Sequence, residues 1–437
     1  MKKITFVGTG YVGLVGGAGI SEFGHQVTCA DIDQNKIERL KAGEIPIYEP
    51  GLESLVKQNV AKGRLHFSHD VPESIQNADI IFVAVGTPQG SNGEANLSAI
   101  ESVAKTIGEN LNGYKIICTK STVPIGTGKR IEEIIRSVNP NGDFDYVSNP
   151  EFLREGAAVK DFLHPDRVVI GTRTQKAIKV MGEVYRPLYI NETPIISTTV
   201  ETAEMIKYAA NAFLSLKISY INEIANLCEA VGADVQDVAR AMGLDGRISA
   251  KFLHPGPGYG GSCFPKDTHA LAATGQKNRS PLLTVEAAIK TNASQKVRMV
   301  DKLKRIMGGS FKGKTVAVLG LAFKPQTDDV REAASIVIVS NLAESGATVQ
   351  AYDPIAMDNF KNHFPNIQYF DSWQDAVKNA DACILLTEWN EFRGMDLNKL
   401  KDLMNNPVLL DTKNIISIQE LESRGFTYDN VGRKSPS

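Results

Sequence analysis

The feature that most constrains this chain is a glycine-rich turn between two short apolar stretches near its start. Residues 3–7 are mainly β-branched and aromatic, which predicts a buried strand. A G-x-G-x-x-G turn follows at 8–13, and a helix of small residues leads to a second predicted strand at 26–30, which ends at Asp31. Strand, turn, helix and strand make a βαβ unit of roughly 30 residues, the building block of a doubly wound sheet.

The same alternation of strands and helices continues and later returns. The further predicted strands are residues 79–85, 115–119, 145–148 and 167–171, and then 314–320, 348–353, 382–387 and 408–411. This pattern predicts an α/β fold with two Rossmann-like doubly wound domains and parallel sheets. Ligands of such sheets bind beyond the carboxyl ends of the strands.

The middle of the chain has a different pattern. Residues 202–232 lack proline and carry apolar residues at helical spacing, which predicts one long helix, and 281–307 predict a second. The glycine- and proline-rich residues 254–267 predict a loop with several turns between them. We therefore predict three domains: 1–200 and 311–437, both α/β, joined by a helical segment at 201–310.

The composition excludes several classes of protein. Lys and Arg number 48 against 50 Asp and Glu, so no basic field is available for nucleic acid or an anionic membrane. The five cysteines include no C-x-x-C pair, and no H-E-x-x-H occurs, so neither a disulfide framework nor a metal site is predicted. The glycines of the first residues argue against a signal peptide, and no 18-residue apolar span follows. We expect a soluble cytoplasmic protein.

The glycine turn predicts a dinucleotide site because of its place between a strand and a helix. Gly8 allows the tight turn, Gly10 lets the backbone approach a pyrophosphate, and Gly13 lets helix and strand pack closely. The N–H groups at the start of the helix are expected to bind the phosphates. Asp31 is expected to bind the ribose hydroxyls and to repel a 2′-phosphate, which favours NAD over NADP. A turn without a ligand and a flavin dinucleotide are the alternatives.

Cys263 differs from the other four cysteines, which lie in strand or helix patterns typical of small core residues. It precedes a helix predicted to begin at Pro265, and Lys266 is close to it in sequence. A helix N-terminus and a nearby ammonium lower the pKa of a thiol, so a reactive thiolate is predicted. A structural cysteine in a loop and a regulatory thiol are the alternatives.

Two further pairs are candidates for polar chemistry. Lys207 and Asn211 lie four residues apart and share a face of the long predicted helix. From spacing alone, a solvated lysine beside an ordinary polar residue is the favoured interpretation of that pair. Glu151 and Glu155 follow a strand end, where an ion-pair cluster is an equally good interpretation.

Together the motifs resemble the UDP-glucose 6-dehydrogenases, within the wider UDP-glucose/GDP-mannose dehydrogenase family. The match covers essentially the whole chain and the order of its motifs: G-T-P at 86–88, K-S-T-V-P at 120–124, N-P-E-F-L-R-E-G at 149–156, K-Y-x-x-N at 207–211, G-P-G-Y-G-G-S-C-F-P-K-D at 256–267 and G-L-A-F-K at 320–324. The cysteine motif is the most specific. Its Ser262 and residues 259–261 resemble the UDP-glucose type, whereas Asn96 stands where many members have Asp.

The resemblance implies roles for individual residues. The implied catalytic residues are Cys263 as nucleophile, Lys207 for the developing oxyanions, Asn211 for the sugar and an ordered water, and Asp267, Thr122 and Glu155 for the water and proton network. The implied NAD contacts are Gly8, Gly10, Tyr11, Val12, Gly13, Asp31, Lys36, Thr87, Thr122, Glu155, Lys266 and Arg331. The implied substrate contacts are Glu151, Phe152, Leu153, Lys207, Asn211, Phe252, Tyr259, Gly260, Lys324, and Arg247 from a neighbouring subunit.

The family also implies an activity and an assembly. UDP-glucose would be oxidised to UDP-glucuronate with two NAD per sugar, through a thiohemiacetal and a thioester on the cysteine. The three domains would bind NAD, form a homodimer or higher homo-oligomer, and bind the UDP-sugar, in that order. The alternatives are a dehydrogenase of UDP-N-acetylhexosamine or GDP-mannose, a two-electron 3-hydroxyacid-type dehydrogenase, and a sensing protein without turnover.

Overall fold

The computed structural model describes residues 1–90 and 93–433 of the 437-residue chain. The chain divides into two compact units, one of Met1–Ala210 with Ala273–Asn278 and one of Asn211–Ala272 with Arg279–Ser437. The predicted domain boundaries at residues 200 and 310 stay a prediction.

Within its described residues, the first unit is built on a sheet of eight strands. The strands are β1 (Lys3–Val7), β2 (Gln26–Ala30), β3 (Leu65–Ser68), β4 (Ile80–Val83), β5 (Lys115–Thr119), β6 (Phe144–Ser148), β7 (Val168–Thr172) and β8 (Ile195–Thr198). Its helices are α1 (Tyr11–Glu22), α2 (Gln34–Lys41), α3 (Leu52–Ala61), α4 (Val71–Gln76), α5 (Ser98–Asn110), α6 (Thr127–Val138), α7 (Ala158–Leu163) and α8 (Gln175–Val184), followed by a 3-10 helix, Arg186–Asn191. The strand order is β3-β2-β1-β4-β5-β6-β7-β8.

The strands β1 to β6 are parallel, but the prediction of a parallel sheet is wrong for β7, which runs antiparallel to β6, with Val147 opposite Thr172. The chain between these two strands contains only the short helix α7. Because an ideal Cβ on Gly19 of α1 would lie 2.1 Å from the ring of Phe162 in α7, the two helices pack closely together. The chain therefore enters β7 at the same end of the sheet at which it left β6. No crossover to the opposite end, which a parallel pair requires, is made.

Both faces of this sheet are buried, so its central strands are almost continuously apolar. On one face, Phe6 of β1 and Phe82 of β4 stack with their ring centroids 4.6 Å apart. Alternate residues of the same strands, such as Ile81 and Val83, belong to a second cluster on the other face. This double burial fixes the register of the strands and with it the positions of the loops at their carboxyl ends.

In its described part, the second unit holds most of the long helices and a six-stranded parallel sheet. Its helices are α9 (Val200–Val231, whose first residues belong to the first unit), α10 (Val235–Gly243), α11 (Phe264–Lys277, whose last residues belong to the first unit), α12 (Leu283–Ile306), α13 (Ala334–Glu344), α14 (Met357–Lys361), α15 (Trp373–Val377), α16 (Asn390–Arg393), α17 (Leu397–Leu403) and α18 (Ile418–Ser423). Its strands are β9 (Thr315–Leu319), β10 (Thr348–Tyr352), β11 (Gln368–Tyr369), β12 (Ala382–Leu385), β13 (Val408–Asp411) and β14 (Thr427–Asn430). The strand order is β11-β10-β9-β12-β13-β14.

The predicted fold class, α/β with two Rossmann-like sheets and a central helical segment containing a long helix, is confirmed. The helix predicted at 202–232 is α9, and the one predicted at 281–307 is α12. The helix expected to begin at Pro265 begins one residue earlier, at Phe264. Four strands were not predicted: β3, β8, β11 and β14.

Candidate functional site

The predicted site residues fall in both units, and each unit brings some of them together. In the first unit the glycine turn has the geometry expected of a dinucleotide loop. Gly8 has φ +102°, and an ideal Cβ on Gly13 would lie 1.9 Å from the carbonyl oxygen of Gly8. A Cβ on Gly10 would have no heavy atom of the described residues within 4 Å. Gly8 and Gly13 are thus required by the turn itself, whereas the space outside Gly10 is open to a ligand.

Asp31 closes the same turn from the end of β2. One of its carboxylate oxygens accepts hydrogen bonds from the N–H and the hydroxyl of Thr9, at 2.8 and 2.7 Å. Lys36 lies 3.4 Å from that oxygen, so two predicted NAD contacts are neighbours. Partial burial alone would raise the pKa of Asp31, but the bonds from Thr9 and Asp33 and the charge of Lys36 lower it on balance. The side chain is 15 % exposed and carries a negative charge at neutral pH.

Tyr11 and Val12 begin α1, and the hydroxyl of Tyr11 reaches a buried carboxylate that sequence reasoning missed. That carboxylate is Glu49, which accepts a hydrogen bond from Tyr11 and two more from the backbone N–H groups of Gly156 and Ala158, at 2.7 and 2.8 Å. Burial, the bond to Glu49 and the charges of Glu49 and Glu155 raise the pKa of Tyr11. Glu49 thereby ties the glycine turn to the loop that carries Glu155.

The loops after β4 and β5 also meet. Thr87 is buried, and its hydroxyl donates a hydrogen bond of 2.8 Å to the carbonyl oxygen of Thr122. The hydroxyl of Ser121 donates to the carbonyl oxygen of Val85 at 2.7 Å. Two predicted NAD contacts, Thr87 and Thr122, are therefore held together at the carboxyl edge of the sheet, where ligands of doubly wound sheets bind.

Lys207 forms a buried ion pair with Glu151, with the ammonium nitrogen 2.9 Å from the carboxylate. Burial raises the pKa of Glu151, but Lys207, the N–H of Leu153 and Lys120 outweigh it and lower the pKa on balance. The Lys207 ammonium also lies 5.4 Å from the ring centroid of Phe152. The expectation of a solvated lysine, which spacing alone favoured, is therefore wrong: Lys207 is 3 % exposed.

Glu204 lies one turn before Lys207 on α9 and was not predicted. Its two carboxylate oxygens accept hydrogen bonds from the N–H groups of Gly126 and Gly128, each at 2.7 Å, so it caps the N-terminus of α6. Burial raises the pKa of Glu204 to about 7, although these two bonds act in the opposite direction. The cap joins α9 to the helix that follows the Thr122 loop.

In the second unit, Cys263 is the cysteine that differs from the rest. The five cysteines are present as thiols, not as disulfides, and Cys263 is half-buried while the other four are buried. Its carbonyl oxygen accepts the N–H of Asp267 in the first turn of α11, at 2.9 Å, so the thiol stands at the N-terminus of that helix. The hydroxyl of Ser262 lies 3.5 Å from the sulfur. Burial raises the pKa of Cys29 to about 12, which makes that thiol unreactive.

Asp267 connects three of the predicted residues. It is fully buried and accepts a hydrogen bond from the side-chain amide of Asn211 at 2.6 Å, while the Lys266 ammonium lies 2.6 Å from its other oxygen. A buried carboxylate needs such partners, because an unpaired charge in the interior is costly. The acid, the amide and the ammonium are thus one hydrogen-bonded set, one helical turn from the sulfur.

The loop before the cysteine is aromatic and packs tightly. The ring of Tyr259 meets Phe264 edge-on with centroids 6.0 Å apart, and Phe252 lies 6.1 Å from the same ring. A Cβ on Gly260 would lie 2.4 Å from the carbonyl oxygen of Glu332, and the N–H of Gly261 donates to the carbonyl oxygen of Arg331 at 2.8 Å. The segment after β9 therefore supports the loop that precedes the cysteine.

The remaining predicted residues of the second unit lie near its surface. Arg331 is paired with Asp329 and its side chain is 63 % exposed, and Lys324 stands 5.2 Å from the ring centroid of Phe323. Arg247 is paired with Asp245 in its own turn, and its side chain is 90 % exposed. Such exposure is what we expect of a residue that reaches into a neighbouring subunit.

The described residues also bear on metals and membranes. Among residues 1–90 and 93–433, no group of three or more His, Cys, Asp or Glu side chains is arranged to hold a metal ion. In that same part of the chain, none of the helices combines the length and the apolar character needed to cross a membrane.

Glu49, Glu204 and Asn292 are the residues near the site that the sequence did not reveal. Each one bonds to backbone groups that are distant in sequence, so neither spacing nor periodicity marks it. The position of Glu49 between an aromatic residue and a Pro-Gly turn is the nearest thing to a signal.

Three family models match the chain. The descriptions are UDP-glucose/GDP-mannose dehydrogenase family, NAD binding domain, for residues 2–189; central domain, for 201–294; and UDP binding domain, for 317–418.

Individual relatives agree with these matches. A UDP-glucose 6-dehydrogenase of Rhizobium meliloti (strain 1021) is 51 % identical over 434 residues, which cover 99 % of each chain. The solved UDP-glucose dehydrogenase of Pyrobaculum islandicum is 34 % identical with a TM-score of 0.93, and the match covers 99 % of this chain and 98 % of that one. The UDP-D-ManNAc dehydrogenase of Pyrococcus horikoshii is 25 % identical with a TM-score of 0.87, covering 99 % of this chain and all of that one (100 %).

Proposed function

The chain belongs to the UDP-glucose/GDP-mannose dehydrogenase family, and we propose that it oxidises UDP-glucose to UDP-glucuronate with two NAD per sugar. It is an NAD-dependent oxidoreductase, and the predicted resemblance is confirmed. The observation that carries the proposal is the half-buried Cys263 at the N-terminus of α11. A cysteine in that position supplies what a four-electron oxidation needs and a two-electron oxidation does not.

The first unit fits NAD. The open space outside Gly10 leaves room for a pyrophosphate at the start of α1, where backbone N–H groups and the helix dipole favour an anion. The ionised Asp31 lies beside this turn and can accept bonds from both ribose hydroxyls while repelling a 2′-phosphate. Thr87, Thr122 and Glu155 would contact the remainder of the cofactor. These features favour NAD over NADP.

Cys263 acts as the nucleophile. NAD, when bound, accepts one hydride at each of the two oxidations. Between them the thiolate adds to the carbonyl carbon of the C6 aldehyde, the oxygen takes a proton, and a thiohemiacetal results. Loss of a hydride from C6 and a proton from the hydroxyl leaves a thioester. Water then cleaves its C–S bond and releases the carboxylate, a proton and the thiol.

The thiol is activated by its surroundings. The N-terminus of α11 favours negative charge on the sulfur, and this helix dipole acts within the first turn. The Lys266 ammonium adds less than its position in the sequence suggests, because Asp267 lies 2.6 Å from it and partly neutralises its charge. The N-terminus of α11 therefore favours the thiolate form of Cys263.

Lys207 and Asn211 stabilise the oxygen of the tetrahedral intermediates. They lie one turn apart on α9, so their donors project on the same side of that helix. Each such donor contributes roughly 3–4 kcal/mol to the stability of a transition state. The hydrogen bonds that Lys207 donates to Glu151 and that Asn211 donates to Asp267 fix the two donors before substrate binds. Glu155, Thr122 and Asp267 would handle the water and the protons.

Each unit carries residues that we propose as contacts with the sugar nucleotide. The UDP binding domain of the family matches residues 317–418, which include Lys324 and Arg331, the second of which would contact NAD. Phe252, Tyr259 and Gly260 would contact the substrate from the loop before the cysteine. Glu151, Phe152 and Leu153 would contact it from the first unit.

A homodimer or a higher homo-oligomer is part of the proposal. On α9, Phe213, Tyr220 and Leu227 are 61, 45 and 57 % exposed, and they recur every seven residues. Apolar side chains at this spacing form a seam that suits a second copy of the same helix. Arg247 would then reach the site of the neighbouring subunit, which explains its exposure. The cytoplasmic location stays a prediction.

The deciding experiment is the stoichiometry of the reaction. The purified protein is given UDP-glucose and excess NAD, and both NADH and UDP-glucuronate are measured. We expect two NADH for each UDP-glucuronate and no free aldehyde, whereas one NADH with released aldehyde would contradict the proposal. A panel with UDP-N-acetylhexosamines and GDP-mannose tests the alternative substrates.

A matched pair of variants tests the cysteine. Cys263→Ala is expected to abolish UDP-glucuronate formation and to leave the affinity for NAD nearly unchanged. Cys228→Ala, which removes a buried thiol of the same unit, serves as the control and should retain activity. Iodoacetamide should label Cys263 first, and UDP-glucose should slow that labelling. Undiminished turnover by Cys263→Ala would exclude the proposed mechanism.

A further inference from the structure

A row of buried polar side chains lies along one face of α12. Asn292, Gln295 and Lys296 are 6, 2 and 6 % exposed, and their spacing places them side by side. Three polar side chains inside the protein are costly unless each is hydrogen-bonded. Their partners are therefore informative: each of the three side chains bonds to a backbone group of a loop that precedes or supports Cys263.

Asn292 holds Tyr259 by both of its backbone groups. The N–H of Tyr259 donates to the side-chain oxygen of Asn292 at 2.7 Å, and the side-chain nitrogen of Asn292 donates to the carbonyl oxygen of Tyr259 at 3.0 Å. This is the pattern by which two antiparallel strand residues pair, made here by a side-chain amide.

Gly256 is held in the same way by two side chains from different helices. Gln295 donates to its carbonyl oxygen at 2.9 Å, and its N–H donates to Asn222 of α9 at 2.8 Å. Asn226 donates to Gln295 at 3.0 Å and so fixes the orientation of that amide. The backbone of the loop is bonded at both ends of residues 256–259.

The loop passes very close to the asparagine between these two ends. Gly258 has φ +107°, and a Cβ there would lie 2.7 Å from the side-chain oxygen of Asn292. Glycine tolerates this conformation, but it also gives the loop many unfolded alternatives. Gly258 therefore permits this shape, and the amides around the loop select it from the alternatives.

We propose that Asn292, Gln295 and Asn222 are positioning residues, which hold residues 256–259 in the shape that binds the UDP-sugar and so set the affinity for it. The inference rests on the proposed function, because Tyr259 is one of the proposed substrate contacts. These amides touch no reacting atom and act through the backbone of Gly256 and Tyr259. Their loss should therefore weaken substrate binding more than it slows the chemical steps.

The test compares variants of similar volume. Asn292→Leu removes both bonds to Tyr259, Asn292→Asp keeps the acceptor and removes the donor, and Gln295→Met removes the bond to Gly256. We expect the KM for UDP-glucose to rise at least tenfold in Asn292→Leu and by a smaller factor in the other two. The KM for NAD should stay within twofold of the wild type. The control Ser294→Ala, on the exposed side of α12, should change neither constant.

Binding of UDP alone, followed by calorimetry without NAD, separates this inference from the proposed function. A Kd for UDP that rises in Asn292→Asp and rises further in Asn292→Leu supports the positioning role. That conclusion holds even if UDP-glucose is not the nucleotide sugar that is oxidised. An unchanged KM and Kd in a folded Asn292→Leu, or in Asn292→Asp and Gln295→Met if the leucine variant does not fold, would overturn it. A proportional fall of kcat with constant KM would overturn it as well.

Discussion

The two sheets begin with the same turn, and only the first turn keeps room for a ligand. In the first unit the N–H of Gly8 donates to the carbonyl oxygen of Ala30 at 2.8 Å, and in the second unit that of Gly320 donates to the carbonyl oxygen of Tyr352 at 2.9 Å. Both glycines have positive φ, +102° and +92°. Both turns are followed by a second strand that ends in an acid, and the two acids have different partners.

The side chain of Asp353 is fully buried, whereas that of Asp31 is partly exposed. The Asp353 side chain accepts bonds from the backbone of Leu321, Ala322, Ile355 and Ala356 and from the ring nitrogen of Trp389, at 2.7 to 3.1 Å, and it is fully buried. Ala322 takes the place that Gly10 has in the first turn, and it is 3 % exposed. The second turn therefore has its N–H groups occupied by its own carboxylate.

An acid after the second strand is thus weak evidence for a dinucleotide. The residue at the third position of the turn decides, because a glycine with open space beyond it admits a phosphate and a buried alanine does not. Between β9 and α13 the chain instead inserts residues 320–333, which carry Lys324 and Arg331. The second sheet has the turn as a structural element, and the residues that we propose to contact substrate and NAD lie on the inserted loop.

The largest effect is expected when Asp353 is replaced by asparagine, and the same replacement of Asp31 is the matched comparison. Asp353→Asn puts an amide donor against N–H groups, and several unsatisfied donors at about 1–3 kcal/mol each should lower the free energy of unfolding by about 4 kcal/mol or more. That corresponds to a fall in Tm on the order of 10 °C, measurable by calorimetry. Asp31→Asn should change Tm little. Equal shifts for the two variants would remove the distinction between them.

A second pair separates the glycines of the first turn. In Gly13→Ala the new Cβ would lie 1.9 Å from the oxygen of Gly8, so helix α1 must move, at about 1–3 kcal/mol, and both Tm and NAD binding should fall. Gly10→Ala should leave Tm unchanged and weaken NAD binding by about tenfold or more, since its methyl occupies only the open space. If Gly10→Ala binds NAD normally, the phosphate does not approach there.

A third prediction concerns the choice of cofactor. Asp31→Asn removes the charge that accepts from the ribose and repels a 2′-phosphate, while Lys36 remains beside it. A hydrogen bond to a charged group is worth about 1.5–3 kcal/mol, so the Kd for NAD should rise by about tenfold or more and NADP should bind relatively better. Titration of the protein with each cofactor in turn gives the ratio of the Kd for NADP to the Kd for NAD. A ratio equal to that of the wild type would mean that Asp31 does not face the ribose.

The smallest effect concerns Glu204, a carboxylate that, like Asp353, accepts hydrogen bonds from backbone N–H groups. Burial raises its pKa to about 7 from an ordinary value of 4.5. Between these two pH values the native state holds more protons than the unfolded state, so this group's contribution to stability falls as the pH rises. Relative to Glu204→Gln, the wild type should lose about 1 kcal/mol, or about 2–4 °C in Tm, between pH 5 and pH 7.5. A constant difference in Tm over that range would show that Glu204 does not titrate there.

The sequence predicts the buried strands well and the edge strands poorly. The bounds of β1, β2, β5 and β13 agree with the prediction at both ends, because continuous apolar residues flanked by turn residues mark them. The edge strands β3 and β8 are partly exposed and mix apolar with polar residues, and the edge strand β14 is buried but mainly polar, so none of the three has an apolar run of more than two residues.

The site divides along a similar line. Residues in loops with glycine or proline punctuation, such as Cys263 and Thr122, could be selected because the motif is local. The partners that orient them, such as Glu49 for the loop of Glu155 and Asn292 for Tyr259, could not, because those contacts depend on tertiary packing. Sequence reasoning also missed the burial of Lys207, since its partner Glu151 lies 56 residues away.

The five cysteines differ in accessibility, and this difference is of practical use. With four thiols enclosed in the interior and a fifth at the start of a helix, the natural chain already carries a unique chemical handle. A fluorophore coupled there would report binding at the proposed UDP-sugar site without any engineered cysteine. A mercury compound soaked into crystals would mark the same point and supply phases.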